Sequence, residues 1–235
     1  MQKKTEFESL DQIFETLNEK DVKYLVMRGF EHDFEDVKNK GAHKDIDMLC
    51  ENSLKVRDAL GALPNRKKED YTHYHVFVGG QIVDIDMRHV GDGYYCEEWQ
   101  RNMLTNRKKW KTFYVMDDEN YLYSLIYHAT IQKVKFADDY RELLKEMAIR
   151  QGVVIGGESN REDFIRVLEQ YMQEKGYKYV YTEDPSIPLQ TKLISNNMLV
   201  HDNKLLNKRR LFIIKRTLRN VIYRTLVKVK NYIKF

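Results

Sequence analysis

The tripeptide Asp-Ile-Asp occurs twice, at 45–47 and 84–86, each time inside an alternating apolar stretch. Residues two apart on a β-strand point to one face, so Asp45 and Asp47 can share a cation. A third carboxylate from a neighbouring strand would complete a site for two divalent ions. Hard oxygen ligands of this kind suit Mg²⁺ (or Mn²⁺) shared with substrate phosphates. Two such ions activate an attacking oxygen and stabilise a leaving one. Upstream, Gly29 ends the apolar run Val22–Met27, where a glycine lets backbone amides approach phosphate closely. Arg28, Lys44 and Arg88 are the candidate cations for that phosphate. Removing one carboxylate from such a cluster, as in Asp47→Ala, is expected to cost little stability, because like charges repel.

The elements that must position these groups follow from periodicity. Ser9 to Asn18 reads as an amphipathic helix with Leu10, Ile13, Phe14 and Leu17 on one face. Val22–Met27 and Asp45–Cys50 read as strands, and the polar stretch from Glu31 to Lys44 as a helical turn or loop. Asn52 or Ser53 caps a helix running to Ala62. Thr72–Val78 and Gln81–Arg88 flank Gly79-Gly80, a two-residue loop suited to a primed hairpin turn. That turn pairs Val78 with Gln81, His75 with Asp84 and His73 with Asp86. Tyr74, Val76, Val78, Val83, Ile85 and Met87 then form a core face. His73, His75, Asp84 and Asp86 share the other face, and Asp84, His73 and His75 are further candidate ligands for zinc or manganese. Asp84 paired with His75 across the hairpin is the structural alternative.

Helices are expected at Glu97–Leu104, from Asp117 or Asp118 to about Lys133, at Ala137–Arg150 and at Asn160–Lys175. Tyr177–Tyr181 reads as a late strand. Tyr94, Tyr95 and Trp99 read as packing residues, and His128 as a buried helix histidine. The fold class is α+β, with strands early and helices late. Three parts are expected: 1–135 around the carboxylates, a mainly helical 136–202, and 203–235.

Strand–Gly, then Asp-x-Asp on a strand, then Asp-Met-Arg on a later strand resembles the DNA polymerase β-like nucleotidyltransferase superfamily. The stretch VGDGYYCEEWQRNML, followed by FYV and YLYSLIYHATIQK, resembles the nucleotidyltransferase-like proteins of bacterial capsule and surface-glycan gene clusters. The resemblance implies a mixed sheet with flanking helices and a metal set of Asp45, Asp47 and Asp86, with Gly29 in the phosphate loop. It implies a nucleotide or phosphorylated donor and a glycan or glycolipid acceptor. Phe30 stands where the superfamily carries a small residue, which also admits a non-catalytic binding module on the same fold.

Composition narrows the remaining classes. With 12% aromatic residues and 42% hydrophobic ones, the 235-residue chain can bury a real core and is not generally disordered. Two cysteines, Cys50 and Cys96, make no disulfide framework and fit a reducing, cytoplasmic compartment. The N-terminus has no apolar signal-peptide core. From Asn203 to Phe235 there are eleven Lys or Arg residues and no acid, leaving 29 basic against 36 acidic residues, formally −7, in the rest of the chain. Leu211, Ile214, Leu218, Val221, Ile222, Leu226, Val229, Tyr232 and Ile233 recur at helical period within this basic tail. Such a helix suits the inner face of an anionic membrane best. A last helix docked on the protein's own core is the second reading. Nucleic acid is a less favoured partner, through a nucleic-acid-modifying transferase, because it offers nothing to the apolar arc.

Overall fold

A computed structural model of the chain describes residues 5–30, 45–65 and 72–232, with side chains to 225. The stretch 31–44, including Lys44, lies outside the described residues, as do the tail side chains from Leu226 onward.

The architecture is α+β. Eight strands make one mixed sheet: β1 (Glu6–Phe7), β2 (Tyr24–Val26), β3 (Asp45–Cys50), β4 (Leu63–Pro64), β5 (His73–Val78), β6 (Gln81–His89), β7 (Lys108–Trp110) and β8 (Phe113–Val115). Their order is β1-β5-β6-β3-β2-β8-β7, with β4 also paired to β5. The β5–β6 hairpin turns through Gly79 and Gly80, at φ 53° and 79°. Two consecutive positive φ values are what a type I′ turn requires, and glycine supplies them without a Cβ penalty. The register is the expected one: Val78 opposes Gln81, His75 opposes Asp84, and His73 opposes Asp86.

One sheet face is covered by α1 (Leu10–Glu19) and α2 (Ser53–Leu60). Ser9 caps α1 by accepting from the Gln12 N–H, and Asn52 caps α2 through Leu54 and Lys55. Ile13, Phe14, Leu17, Val56 and Leu60 pack on Ile46, Met48, Tyr74, Val76, Ile85 and Met87. On the opposite face, Leu25 and Leu49 join a second core made with α3 (Glu97–Thr105), α4 (Asp118–Tyr127), α5 (Asp138–Arg150) and α6 (Arg161–Lys175). Trp99 is its centre, ringed by Tyr95, Tyr127, Tyr171 and Tyr177 within 6 Å. Its indole N–H donates to Asn120 Oδ1 at 2.8 Å, so the buried ring leaves no unpaired donor. Asp45, Asp47 and Leu49 point to one face by strand alternation, yet only Leu49 enters this core.

Several elements differ from the expectation. The stretch 177–181 makes one isolated bridge, Tyr179 to Leu199, rather than a strand. Helix α4 ends at Tyr127 and continues as a π-helical turn, His128–Gln132. Strands β1, β4, β7 and β8 carry two or three residues each, too few for a periodic signal. The last helix, α7 (Asn203–Tyr232), opens with Asp202 Oδ1 accepting from the Leu205 N–H.

Candidate active site

Strands β3 and β6 run parallel, with Asp45 opposite Asp84 and Asp47 opposite Asp86. This register brings Asp45, Asp47 and Asp86 together, with one carboxylate oxygen from each within 4.8 Å of the others. Among the described residues, no other group of His, Cys, Asp or Glu gathers this closely.

The rest of the wider set goes elsewhere. His75 Nδ1 lies 2.6 Å from Asn65 Oδ1, while Asn65 Nδ2 donates to Asp84 Oδ1 at 3.0 Å. The cross-strand partners His75 and Asp84 are thus tied through Asn65, just past β4. His73 Nε2 stands 3.8 Å from Asp86 Oδ1, beside the triad rather than in it. Both histidines are half-buried on the carboxylate face, as the hairpin register requires.

Arg28 is the main finding at the site. The Met27 N–H donates to the Asp47 carbonyl at 2.9 Å, so Arg28 leaves β2 beside that aspartate. Its Nε donates to Asp47 Oδ2 at 2.8 Å and its Nη2 to Oδ1 at 3.0 Å, a fork on both carboxylate oxygens. Nη1 and Nη2 also donate to the Tyr94 hydroxyl at 3.2 and 3.1 Å. Desolvation alone would raise the Asp47 carboxyl, but the charge and hydrogen bonds of Arg28 outweigh it and hold the group below its ordinary value. This corrects the expectation that Asp47 can be removed at little cost, since its loss would leave the Arg28 charge without its partner. Asp86 behaves oppositely. Desolvation raises it, His73 and Arg88 oppose the rise, and Asp47 and Asp45 add to it.

Gly29 adopts φ 74°, and a Cβ there would meet nothing within 4 Å. Backbone conformation, not crowding, is what calls for glycine at this turn. Phe30 is buried against Trp110 and Tyr121, with ring centroids 5.7 and 5.0 Å away. The residue after the glycine is therefore a core anchor.

Arg88 is 4% exposed and stacks its guanidinium 4.8 Å from the Tyr94 ring centroid. Its Nη1 lies 3.4 Å from Asp184 Oδ2, and its buried Nε has no partner. Arg88 and His73 line a cleft of about 830 Å³, with Asn52, Asp184 and, from α7, Lys208 and Phe212. The cleft adjoins the triad through His73 but does not contain the three carboxylates.

Behind Arg28, His128 Nδ1 faces the Tyr94 hydroxyl at 3.3 Å and Gln132 Oε1 at 3.1 Å. Burial, together with the nearby charges of Arg28 and Lys133, pushes its pKa down to about 3, so the imidazole is neutral. Sequence reasoning found His128 buried and Tyr94 packed, and both are. It missed that the Tyr94 hydroxyl joins Arg28 to His128, and that Asp184 reaches Arg88 from 96 residues away. Nothing local to either residue signals these contacts.

The superfamily resemblance implies a divalent metal, and the donor set fits one. Oxygens bound to one Mg²⁺ ion stand roughly 3.0 Å apart when adjacent and roughly 4.2 Å apart when opposite. Three carboxylate oxygens within 4.8 Å of one another would have to draw together around such an ion, with Asp47 shared between it and Arg28. A cation would also relieve the repulsion that Asp45 and Asp47 exert on Asp86.

No family model matches the chain, and no curated protein matches it. Among solved structures, it is similar to the antibiotic-resistance factor ANT(2'')-Ia, at 11% identity and a TM-score of 0.38, over 70% of this chain and 90% of that one.

Proposed function

We propose that the chain is a divalent-metal-dependent nucleotidyl- or phosphoryl-type transferase, acting on a glycan or glycolipid acceptor in surface polysaccharide or glycolipid assembly. One observation carries the reading of the site: three carboxylates from two adjacent parallel strands converge within 4.8 Å on one face of the sheet. Bound there, Mg²⁺ or Mn²⁺ would neutralise phosphate charge on the donor. Asp45, Asp47 and Asp86 would hold the ion. Arg28 holds Asp47 in one rotamer and contributes a fixed positive charge near the donor. Most of the rate enhancement would then come from positioning and charge neutralisation, as phosphoryl transfer generally requires.

The Arg28 fork and the buried Phe30 favour a second reading, a binding module that keeps the fold without the chemistry. A thermal-shift screen of nucleoside triphosphates with Mg²⁺ or Mn²⁺ separates the two. The transferase reading expects metal-dependent stabilisation by nucleotide that Asp45→Asn abolishes. Nucleotide stabilisation equal with and without metal, and unchanged by Asp45→Asn, would establish the binding module.

A further inference from the structure

The tail helix contacts the body with one side and leaves its apolar side bare. With Leu211 at 0° and about 100° per residue, the half-buried Phe212, Leu205 and Arg209 fall near 100°, 120° and 160°. Arg209 donates to the Ile187 carbonyl, and Lys208 Nζ to the Glu183 carbonyl at 2.6 Å. The arc of Leu211, Ile214, Leu218, Val221 and Ile222 spans about 280° to 20°, nearly opposite that docked side. All five side chains are more than half exposed. The arc therefore does not serve to pack α7 on the protein's own core. Lys215 and Arg219 border it on one side and Arg210 and Arg224 on the other, and no acidic residue interrupts 203–235.

From this arrangement we infer that α7 lies on an anionic lipid bilayer, with the arc inserted between head groups and the bordering cations on lipid phosphates. Charge complementarity selects this occupant. Two copies of α7 joined through their arcs would set rows of cations against each other with no acid to pair them. The acidic body of another copy offers charge but no apolar counterpart. A nucleic-acid backbone would leave the five apolar side chains in water. No helix among the described residues is long and apolar enough to cross a membrane, so α7 lies at the interface. Because Lys208 and Phe212 wall the cleft beside Asp86, the same helix would set the cleft at the bilayer surface. The inference holds whether or not the carboxylate site is catalytic.

Cys50 and Cys96 are both buried, so a cysteine placed on α7 is the accessible labelling site. An environment-sensitive fluorophore at Leu218→Cys reads the arc, and one at Asn220→Cys reads the face near 180°. Vesicles containing 30 mol% phosphatidylglycerol are expected to shift the Leu218→Cys label to the blue and leave the Asn220→Cys label nearly unchanged. Neutral phosphatidylcholine vesicles, or 1 M salt, are expected to weaken binding about tenfold or more. Leu218→Glu with Ile222→Glu, both at exposed positions, is expected to weaken vesicle binding at least tenfold with an unchanged circular dichroism spectrum. The inference is overturned if full-length protein does not bind the anionic vesicles, or if the two labels respond alike. It is equally overturned if the double variant binds as the wild type does, or if duplex DNA or self-association, rather than lipid, produces the Leu218→Cys shift.

Discussion

Arg28→Leu tests the central feature of the site. The substitution keeps an apolar stem but removes the fork on Asp47 and both bonds to the Tyr94 hydroxyl. Fully buried ion pairs cost about 3–5 kcal/mol when one partner is lost, and exposed pairs about 0–1. Here the two side chains are 19% and 20% exposed, so solvent screens part of the loss. The expected cost is about 2–3 kcal/mol at pH 7. For a domain of this size that is a fall in Tm of about 5–10 °C.

The pH dependence carries its own check. Asp47 is held below its ordinary value in the folded state, against desolvation, chiefly by Arg28. The pair's contribution is therefore complete above about pH 5, where the unfolded carboxyl is almost fully ionised. It is lost as pH falls through the lower folded value. Chemical denaturation of both proteins from pH 7 to pH 2 should show the stability gap narrowing at the acid end. Removing the guanidinium charge should also tighten Mn²⁺ binding at the triad, read by calorimetry or by metal-induced stabilisation. A cost under about 0.5 kcal/mol, a gap independent of pH, or weaker Mn²⁺ binding would each refute the assigned role of Arg28.

Four further outcomes follow from the same geometry. Asp86→Asn should stabilise the protein at pH 7 in denaturant titrations while weakening Mn²⁺ binding, because burial and the neighbouring aspartates disfavour its charge. Gly29→Ala should cost about 1 kcal/mol from its positive φ alone, since the added methyl meets open space; a much larger loss of Tm would mean crowding. Phe30→Ala should cost about 3–5 kcal/mol in the same titrations and leave Mn²⁺ affinity unchanged, as expected of a core anchor. His128→Gln should flatten stability between about pH 6.5 and pH 3. There the wild type loses about 1.4 kcal/mol per pH unit as its unfolded histidine takes up a proton and its folded one does not.

What the chain revealed before its structure divides along the range of the interactions. The hairpin was legible to the residue, because Gly79-Gly80 and period-two alternation are local signals. The carboxylates were legible as a set, because two Asp-x-Asp strands in one domain can converge. Asp86 rather than Asp84 is the third member that the Asp-Met-Arg resemblance implies, and the physical reason it joins the cluster is the parallel β3–β6 register together with Asn65 engaging Asp84, neither of which has a local signature. The short strands β7 and β8 carry too few residues to show a period, yet they place Trp110 against Phe30. Arg28 was legible as a cation and read as facing phosphate. That it turns onto Asp47 follows from Tyr94, 66 residues away, which holds the other side of the guanidinium.

The two arginines give the site its charge logic. Asp45, Asp47, Asp86 and Asp184 with Arg28 and Arg88 sum to two net negative charges, where four unaccompanied carboxylates would carry four. Much of the attraction for a divalent ion is thus offset from within, by one arginine forked on Asp47 and another stacked on Tyr94. Such a site should bind free metal weakly, and better when a phosphorylated ligand supplies the missing negative charge. Cooperative binding of metal and nucleotide is therefore the expected behaviour. Calorimetry of Mn²⁺ with and without a non-hydrolysable triphosphate would show it as a metal affinity at least tenfold higher in the presence of the nucleotide. Equal affinities would mean that the carboxylates and the phosphate do not share an ion.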